Sequence, residues 1–155
     1  MKFKEKIYCD YNDVLSMCKN LEYEVSRMRP DLIVAIVRGG MLPALHLSHA
    51  LDVPLDTMVW STRDQNRCEF SEVAADYLKR GKTVVFVDDI NDTGTTMRQI
   101  SKECAKHNPD CLGGRAPRTA KFVAMTEKID TKYITDARAL RIDDPRWLVF
   151  PWEKD

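Results

Sequence analysis

Three short runs constrain this chain most: LIVAIV (32 to 37), TVVFV (83 to 87) and KFVAM (121 to 125). The first two are rich in β-branched residues. All three are short and apolar on both faces, which marks strands buried on both sides. The segments between them carry a different period. Residues 12 to 28 place Val14, Leu15, Cys18, Leu21, Val25 and Met28 at helical spacing, with Asp10 or Asn12 as cap and Pro30 as stop. MLPALHLSHAL (41 to 51), SEVAADYLKRG (71 to 81, ended by Gly81) and Thr95 to His107 read as further helices. LDTMVW (55 to 60) reads as another strand, and the remainder, down to WLVFPWEKD, as shorter strands and turns. STRDQNRCEFS (61 to 71) is polar and unpatterned, and reads as a mobile loop. Short apolar strands alternating with helices predict an α/β fold, a mainly parallel twisted sheet flanked by helices.

Composition narrows the function classes. A chain of 155 residues suits one domain with a sizeable core. It is 44% apolar and 31% charged, with a formal net charge of zero, as in ordinary soluble globular proteins. A neutral balance argues against a chain that coats nucleic acid or an anionic membrane. The longest continuous apolar run, LIVAIV, is far too short to span a bilayer, and MKFKEKIYCDYND has no signal-peptide core. The expected location is cytoplasmic. Cys9, Cys18, Cys68, Cys104 and Cys111 include no CxxC pair, so they read as reduced packing thiols. His46 and His49, three apart, read as a helix-surface pair rather than metal ligands.

Ligands of parallel α/β sheets bind at the carboxyl ends of strands. Two strands here end in unusual chemistry, IVRGG and FVDDINDTGTT. Neither GxxxxGK[ST] nor GxGxxG occurs. Thr93, Gly94, Thr95 and Thr96 open a helix, where free backbone N–H groups, the helix dipole and hydroxyl donors form a phosphate cradle. An ordinary Asx or threonine N-cap accounts for the same residues equally well. Arg38 with Gly39 and Gly40 offers a forked cation and exposed amides, or a plain turn. Asp88 and Asp89 repel phosphate unless they hold Mg²⁺ or accept from sugar hydroxyls. A ligand combining phosphate, diol and metal reconciles the two.

With these residues together, VVFVDDINDTGTT resembles the phosphoribosyl-diphosphate (PRPP) motif of type I phosphoribosyltransferases. IVRGGMLPALHLSHAL resembles that family's pyrophosphate loop and following helix, KFVAMTEK the strand ending in a purine-contacting lysine, and RWLVFPWE the hood over the base. The likeness is greatest to the purine-salvage branch, xanthine–guanine and hypoxanthine phosphoribosyltransferases. It departs from the pattern at Val37, where serine is often found before the RGG turn. It departs also at NPDCLGGRAPRTA (108 to 120), which looks longer than in relatives.

The resemblance implies a single phosphoribosyltransferase domain over 1 to 155, with hood elements mainly in 128 to 155. It implies transfer of a phosphoribosyl group from PRPP to N9 of a 6-oxopurine, with Mg²⁺ as cofactor and a homodimer or homotetramer as assembly. Asp88 and Asp89 would face the ribose diol, Asp89 also holding Mg²⁺. Asp92, Thr93, Gly94, Thr95 and Thr96 would wrap the 5′-phosphate, and Asp92 would serve the purine as general acid or base. Arg38, Gly39 and a loop residue, Arg67, would contact the diphosphate. Lys128 would bind the 6-oxo group, Trp147 stack on the base, the Leu148 backbone read its edge and Glu153 reach its 2-position. Loop 61 to 71 would close over the site. Arg115 and Arg118 would be solvated or serve a subunit contact. The competing reading is a non-catalytic sensor of PRPP or nucleotides, or an enzyme for another nucleobase.

Overall fold

The computed structural model describes residues 5–62 and 67–153. Its elements run β1 (Lys6–Tyr8), α1 (Tyr11–Arg27), β2 (Leu32–Val37), α2 (Met41–Leu51), β3 (Leu55–Trp60), β4 (Cys68–Glu69), α3 (Glu72–Lys79), β5 (Val84–Asn91), α4 (Thr95–His107), β6 (Ala120–Lys128), β7 (Ala137–Ile142) and β8 (Trp147–Val149). Six strands form one sheet in the order β4-β3-β2-β5-β6-β7, parallel except at the β3–β4 pair. The expected α/β architecture with a mainly parallel sheet is the one observed.

Alternation along β2 explains the two cores. Ile33 and Ala35 pack with α1 and α2 through Leu21, Val25 and Leu47. Leu32, Val34 and Ile36 pack on the other side with Leu78 of α3 and Met97, Ile100 and Cys104 of α4. A strand with both faces covered must be apolar throughout, which is why LIVAIV shows no polar alternation. Helix α1 begins with a full capping box: Asp10 accepts from the Asp13 backbone N–H, and Asp13 accepts from that of Asp10, both at 2.8 Å. Such a cap stabilises a helix by about 1 kcal/mol.

Strand order sets the position of any ligand. From β2 the chain turns outward to β3 and β4, then returns to the opposite side of β2 with β5. The carboxyl ends of β2 and β5 therefore flank the switch point, the expected crevice in open α/β sheets. The RGG turn follows β2 and the DTGTT turn follows β5.

Several expectations need correction. The polar 61 to 71 segment is not wholly loop: Cys68 and Glu69 form β4, paired antiparallel with Trp60 and Val59. The rest of that expectation, closure of the loop, falls on a segment whose residues 63–66 lie outside the described residues. Residues 108 to 120 are ordered by a 3-10 turn, Pro109–Leu112, which buries Cys111. Arg118 is paired within its own chain and partly exposed. Its guanidinium donates to Asp136 at 2.6 and 3.2 Å, and Asp136 also accepts from the Phe122 N–H. Strand β5 runs four residues past TVVFV and contains both aspartates.

A second, two-stranded parallel sheet pairs β1 with β8. It brings the two ends of the described chain together beside the switch point. Trp147 N–H donates to Glu5 O and Cys9 N–H donates to Val149 O. Trp147 and Val149 thus use their peptide groups toward β1, and those of Leu148 point the other way. No helix among the described residues is long and apolar enough to cross a membrane.

Candidate active site

The alternation of β5 breaks at its aspartates. Val85 and Val87 pack in the α1/α2 core, and Ile90, three residues after Val87, packs against that same core. A regular strand would turn Ile90 to the other face. The phase change lets consecutive carboxylates serve one crevice: Asp88 and Asp89 both line a cavity of about 360 Å³. Asp89 and Ile90 N–H groups donate to the Asp88 and Asp89 carboxylates at 2.8 and 2.7 Å. Burial pushes the Asp88 carboxyl well above its usual range, and the adjacent Asp89 charge adds to the shift. Asp89 is raised as well, again chiefly by burial, with Glu153 contributing repulsion.

The same 360 Å³ cavity is lined by Asp92, Thr93, Gly94, Thr95 and Thr96. The first amide of α4 with a carbonyl four residues back is Arg98, bonded to Gly94 O at 3.0 Å. The preceding N–H groups lack intrahelical partners, as at any helix start. Thr93 Oγ1 lies 3.0 Å from Thr95 Oγ1 and accepts from Thr95 N–H at 3.3 Å. Gly94 has φ +91°, a left-handed conformation that glycine adopts freely. Its close neighbour is protein rather than open crevice, since a Cβ would lie 2.6 Å from Tyr133 N.

A larger cavity, about 960 Å³, adjoins the first through Asp89, Trp147 and Glu153, which line both. Arg38 and Gly39 form its wall. Gly39 lies hard against Asp89, where a Cβ would come within 2.2 Å of the carboxylate oxygen. Only glycine lets the turn after β2 approach the carboxylate from β5 so closely. The Val37–Arg38 peptide is cis.

On the far side stands the C-terminal segment. Trp147 lines both cavities, Trp152 lines the larger one, and Trp152 stacks on Phe150 with ring centroids 4.9 Å apart. Glu153 accepts from Phe150 N–H at 2.9 Å, which leaves its second oxygen to the crevice. Lys128 does not line either cavity. Its ammonium donates to Asp144 O at 2.9 Å and Arg146 O at 3.2 Å, so it tethers the loop before β8. That loop is also braced by Asp144, whose carboxyl is lowered to about 2 by the Arg146 guanidinium and backbone N–H. An ammonium has three N–H donors, and the tether uses two.

Of the expected site residues, Arg38, Gly39, Asp88, Asp89, Asp92 through Thr96, Trp147 and Glu153 come together around the two adjoining cavities. Leu148 lies buried behind them with its peptide edge turned from β1, and Lys128 stands behind the hood loop. Arg67 stays apart: it is exposed and 3.5 Å from Glu69. The sequence reading missed Trp60, Ser61 and Thr62, which line the smaller cavity, and Lys6, which lines the larger. Trp60 ends β3, so the rule about carboxyl ends could have found it. Lys6 had no local signal. It reaches the cavity because it pairs with Trp147 across the β1–β8 ladder. His46 Nε2 donates to the Glu22 carboxylate at 2.6 Å, and among the described residues no three His, Cys, Asp or Glu side chains are grouped to hold a metal.

A switch-point crevice with a helix-start anion cradle, adjacent acids and an aromatic wall defines a class of sugar-phosphate enzymes. The chain belongs to the phosphoribosyl transferase domain family, whose model matches residues 10–153. Its relatives include the xanthine-guanine phosphoribosyltransferase of Desulfotalea psychrophila, 28% identical over 79% of this chain and 70% of that protein. They also include the hypoxanthine-guanine phosphoribosyltransferase of Saccharomyces cerevisiae, 24% identical over 99% of this chain and 88% of that one. Among solved structures, the purine phosphoribosyltransferase of Pyrococcus horikoshii superposes with a TM-score of 0.76 at 29% identity, covering 97% of this chain and 95% of the other.

Proposed function

We propose that this protein transfers the 5-phosphoribosyl group of PRPP to N9 of a 6-oxopurine, releasing pyrophosphate. The observation that carries the reading is the continuity of the two cavities through Asp89, Trp147 and Glu153. One connected crevice offers an anion cradle at one end, carboxylates for a diol in the middle, and a cation beside an aromatic wall at the other. A sensor of PRPP alone has no need of the aromatic wall.

The α4 turn, Thr93 to Thr96, holds the 5′-phosphate through amides and hydroxyls. Asp88 and Asp89 accept from the ribose hydroxyls. Arg38 and the amides of the RGG turn stabilise negative charge as the pyrophosphate leaves and the ribose acquires oxocarbenium character. Asp92, between the phosphate turn and the base, manages the purine proton. Trp147 stacks on the base, the Leu148 peptide edge reads it, and Glu153 faces its 2-position. The third donor of Lys128 favours a base with an acceptor at position 6 over one with an amino group there.

The residues fit Mg²⁺ that arrives with substrate. Mg²⁺ is commonly held by one or two carboxylates, with substrate oxygens and water completing its shell. Asp89, with Asp88 beside it, supplies such donors, and a cation would offset the cost of burying these carboxylates, the main cause of their raised pKa values, together with the lesser repulsion from neighbouring acids. When bound, the ion neutralises charge on the diphosphate.

The test is to incubate the protein with PRPP and Mg²⁺ and follow pyrophosphate release with guanine, xanthine, hypoxanthine, adenine and uracil in turn. Release with 6-oxopurines and not with adenine or uracil is expected. Release with none of the five overturns the proposal.

A further inference from the structure

The end of β5 carries a buried polar pair outside the chemistry described above. Glu127 on β6 has no exposed surface, and Asn91, its register partner on β5, is 2% exposed. A buried carboxylate is costly unless hydrogen-bonded and compensated by charge. Here both conditions are met. Glu127 Oε2 accepts from Asn91 Nδ2 at 2.9 Å, from Thr135 N–H at 2.8 Å and from the Thr135 hydroxyl at 2.5 Å. Its other oxygen lies 3.2 Å from Arg138 Nε, an ion pair without hydrogen-bond alignment. These donors hold the Glu127 carboxyl below its usual range against the opposing effect of burial.

The network has two outward connections. Asn91 directly precedes Asp92, so its side chain anchors the chain at the entrance to the phosphate turn. The same amide donates to Tyr133 O at 2.6 Å. From Tyr133 the segment 131 to 133 lies against the turn itself. Lys132 N–H donates to Thr93 O at 3.0 Å, Arg98 donates to Lys132 O at 3.3 Å, and Tyr133 N abuts Gly94. Glu127 thus clamps two pieces of chain, 91 to 94 and 131 to 135, from beneath.

We infer that Glu127, acting through Asn91, is a positioning residue for PRPP: it sets the geometry of the 92 to 96 turn without touching substrate. This rests on the proposed assignment of that turn to the 5′-phosphate. A general structural role would disturb both substrates. Positioning of the turn should disturb PRPP, and turnover through Asp92 at its start, but spare purine affinity, since the stacking wall is built by Trp147 and Trp152 on other elements.

The variants are Glu127→Gln, Asn91→Ala and the pair combined. Asn91→Ala removes two hydrogen bonds without stranding a substrate-facing group, and it carries the test should Glu127→Gln fail to fold. Each single variant should raise the KM for PRPP about tenfold, as for the loss of a hydrogen bond to a charged group. The KM for the purine should change less than about twofold, and the double variant should be no worse than the worse single one, since the two act in series. Hydrogen–deuterium exchange of the protein without substrate should quicken in peptides covering 92 to 97 and stay unchanged in α1 and β2. An unchanged KM for PRPP, an equal rise for both substrates, or unchanged exchange in 92 to 97 overturns the inference. Should the unmodified protein show no turnover, the transfer reading fails by itself. Exchange together with PRPP affinity by calorimetry then decides the inference on the same criteria.

Discussion

The β5–α4 junction and the Trp147–Glu153 segment face each other across one crevice, and they are held by different means. The junction is a continuation of the central sheet. Strand β5 is paired with β2 over residues 84 to 87 and with β6 as far as Asn91, Val84 to Val87 are fully buried, and a carboxylate network fastens its far end. The hood is a three-residue strand paired, among the described residues, with β1 alone, and tethered by Lys128 and the Asp144–Arg146 bridge. On the proposed assignment, the more extensively tied wall is the one that would hold phosphate and ribose. On the same assignment the base would meet the less extensively tied wall. An enzyme that fixes one substrate and selects another needs this distribution.

The contrast can be broken at either side. Asp92→Ala should have the largest effect. It should lower kcat by about 10²- to 10⁴-fold, the usual contribution of a positioned acid or base, with little change in the KM for PRPP. Unaltered turnover would remove Asp92 from the chemistry. Trp147→Ala strikes the hood. Lost stacking is worth about 1–3 kcal/mol, roughly 5- to 150-fold in base affinity, while PRPP binding by calorimetry should hold. An equal loss of both ligands would mean the two walls are not independent.

Lys128→Met separates the tether from the rest of the hood. Loss of hydrogen bonds from a charged donor should reduce kcat/KM for 6-oxopurines about tenfold or more. Equal kcat/KM would show that the lysine braces only a loop. Asp88→Asn should act on stability with the opposite sign. A carboxyl whose folded pKa is raised holds its proton more tightly in the folded state, so folding loses stability as pH rises above the unfolded value near 4. The variant should therefore melt higher than the parent at neutral pH, and the gap should close as pH falls toward 4. A lower melting temperature at neutral pH would show that the carboxylate is not strained. Arg67→Ala should do least. Exposed and paired only loosely with Glu69, its removal should change stability by less than about 0.5 kcal/mol in thermal denaturation. A larger loss would place Arg67 in contacts beyond Glu69.

The junction was legible without coordinates because its chemistry is local. Asp88 to Thr96 lie on one strand-to-helix junction, so their meeting around one cavity follows from the chain itself. The buried strands declared themselves for a related reason: a strand covered on both faces has no solvent-facing position to mark with a polar residue. The Asp10 cap and the α4 boundaries likewise followed from short-range geometry.

Tertiary structure decided the rest, in each case by bringing together residues far apart in the chain. Nothing near Lys6 marks it as a cavity residue; its pairing with Trp147 does. Nothing near Glu127 separates it from a solvated strand-end acid; burial beside Asn91 and Thr135 does. Nothing near Gly94 in sequence shows that the 131 to 133 segment packs against it; the folded chain does. The sequence left Arg118 between solvent and a subunit contact; its pairing with Asp136, 18 residues on, appears only in the folded chain. Local pattern determines which strands, helices and turns form, because backbone sterics and hydrogen bonding act over a few residues. Which side chains then share a crevice depends on strand order and packing, and these are settled only when distant segments meet.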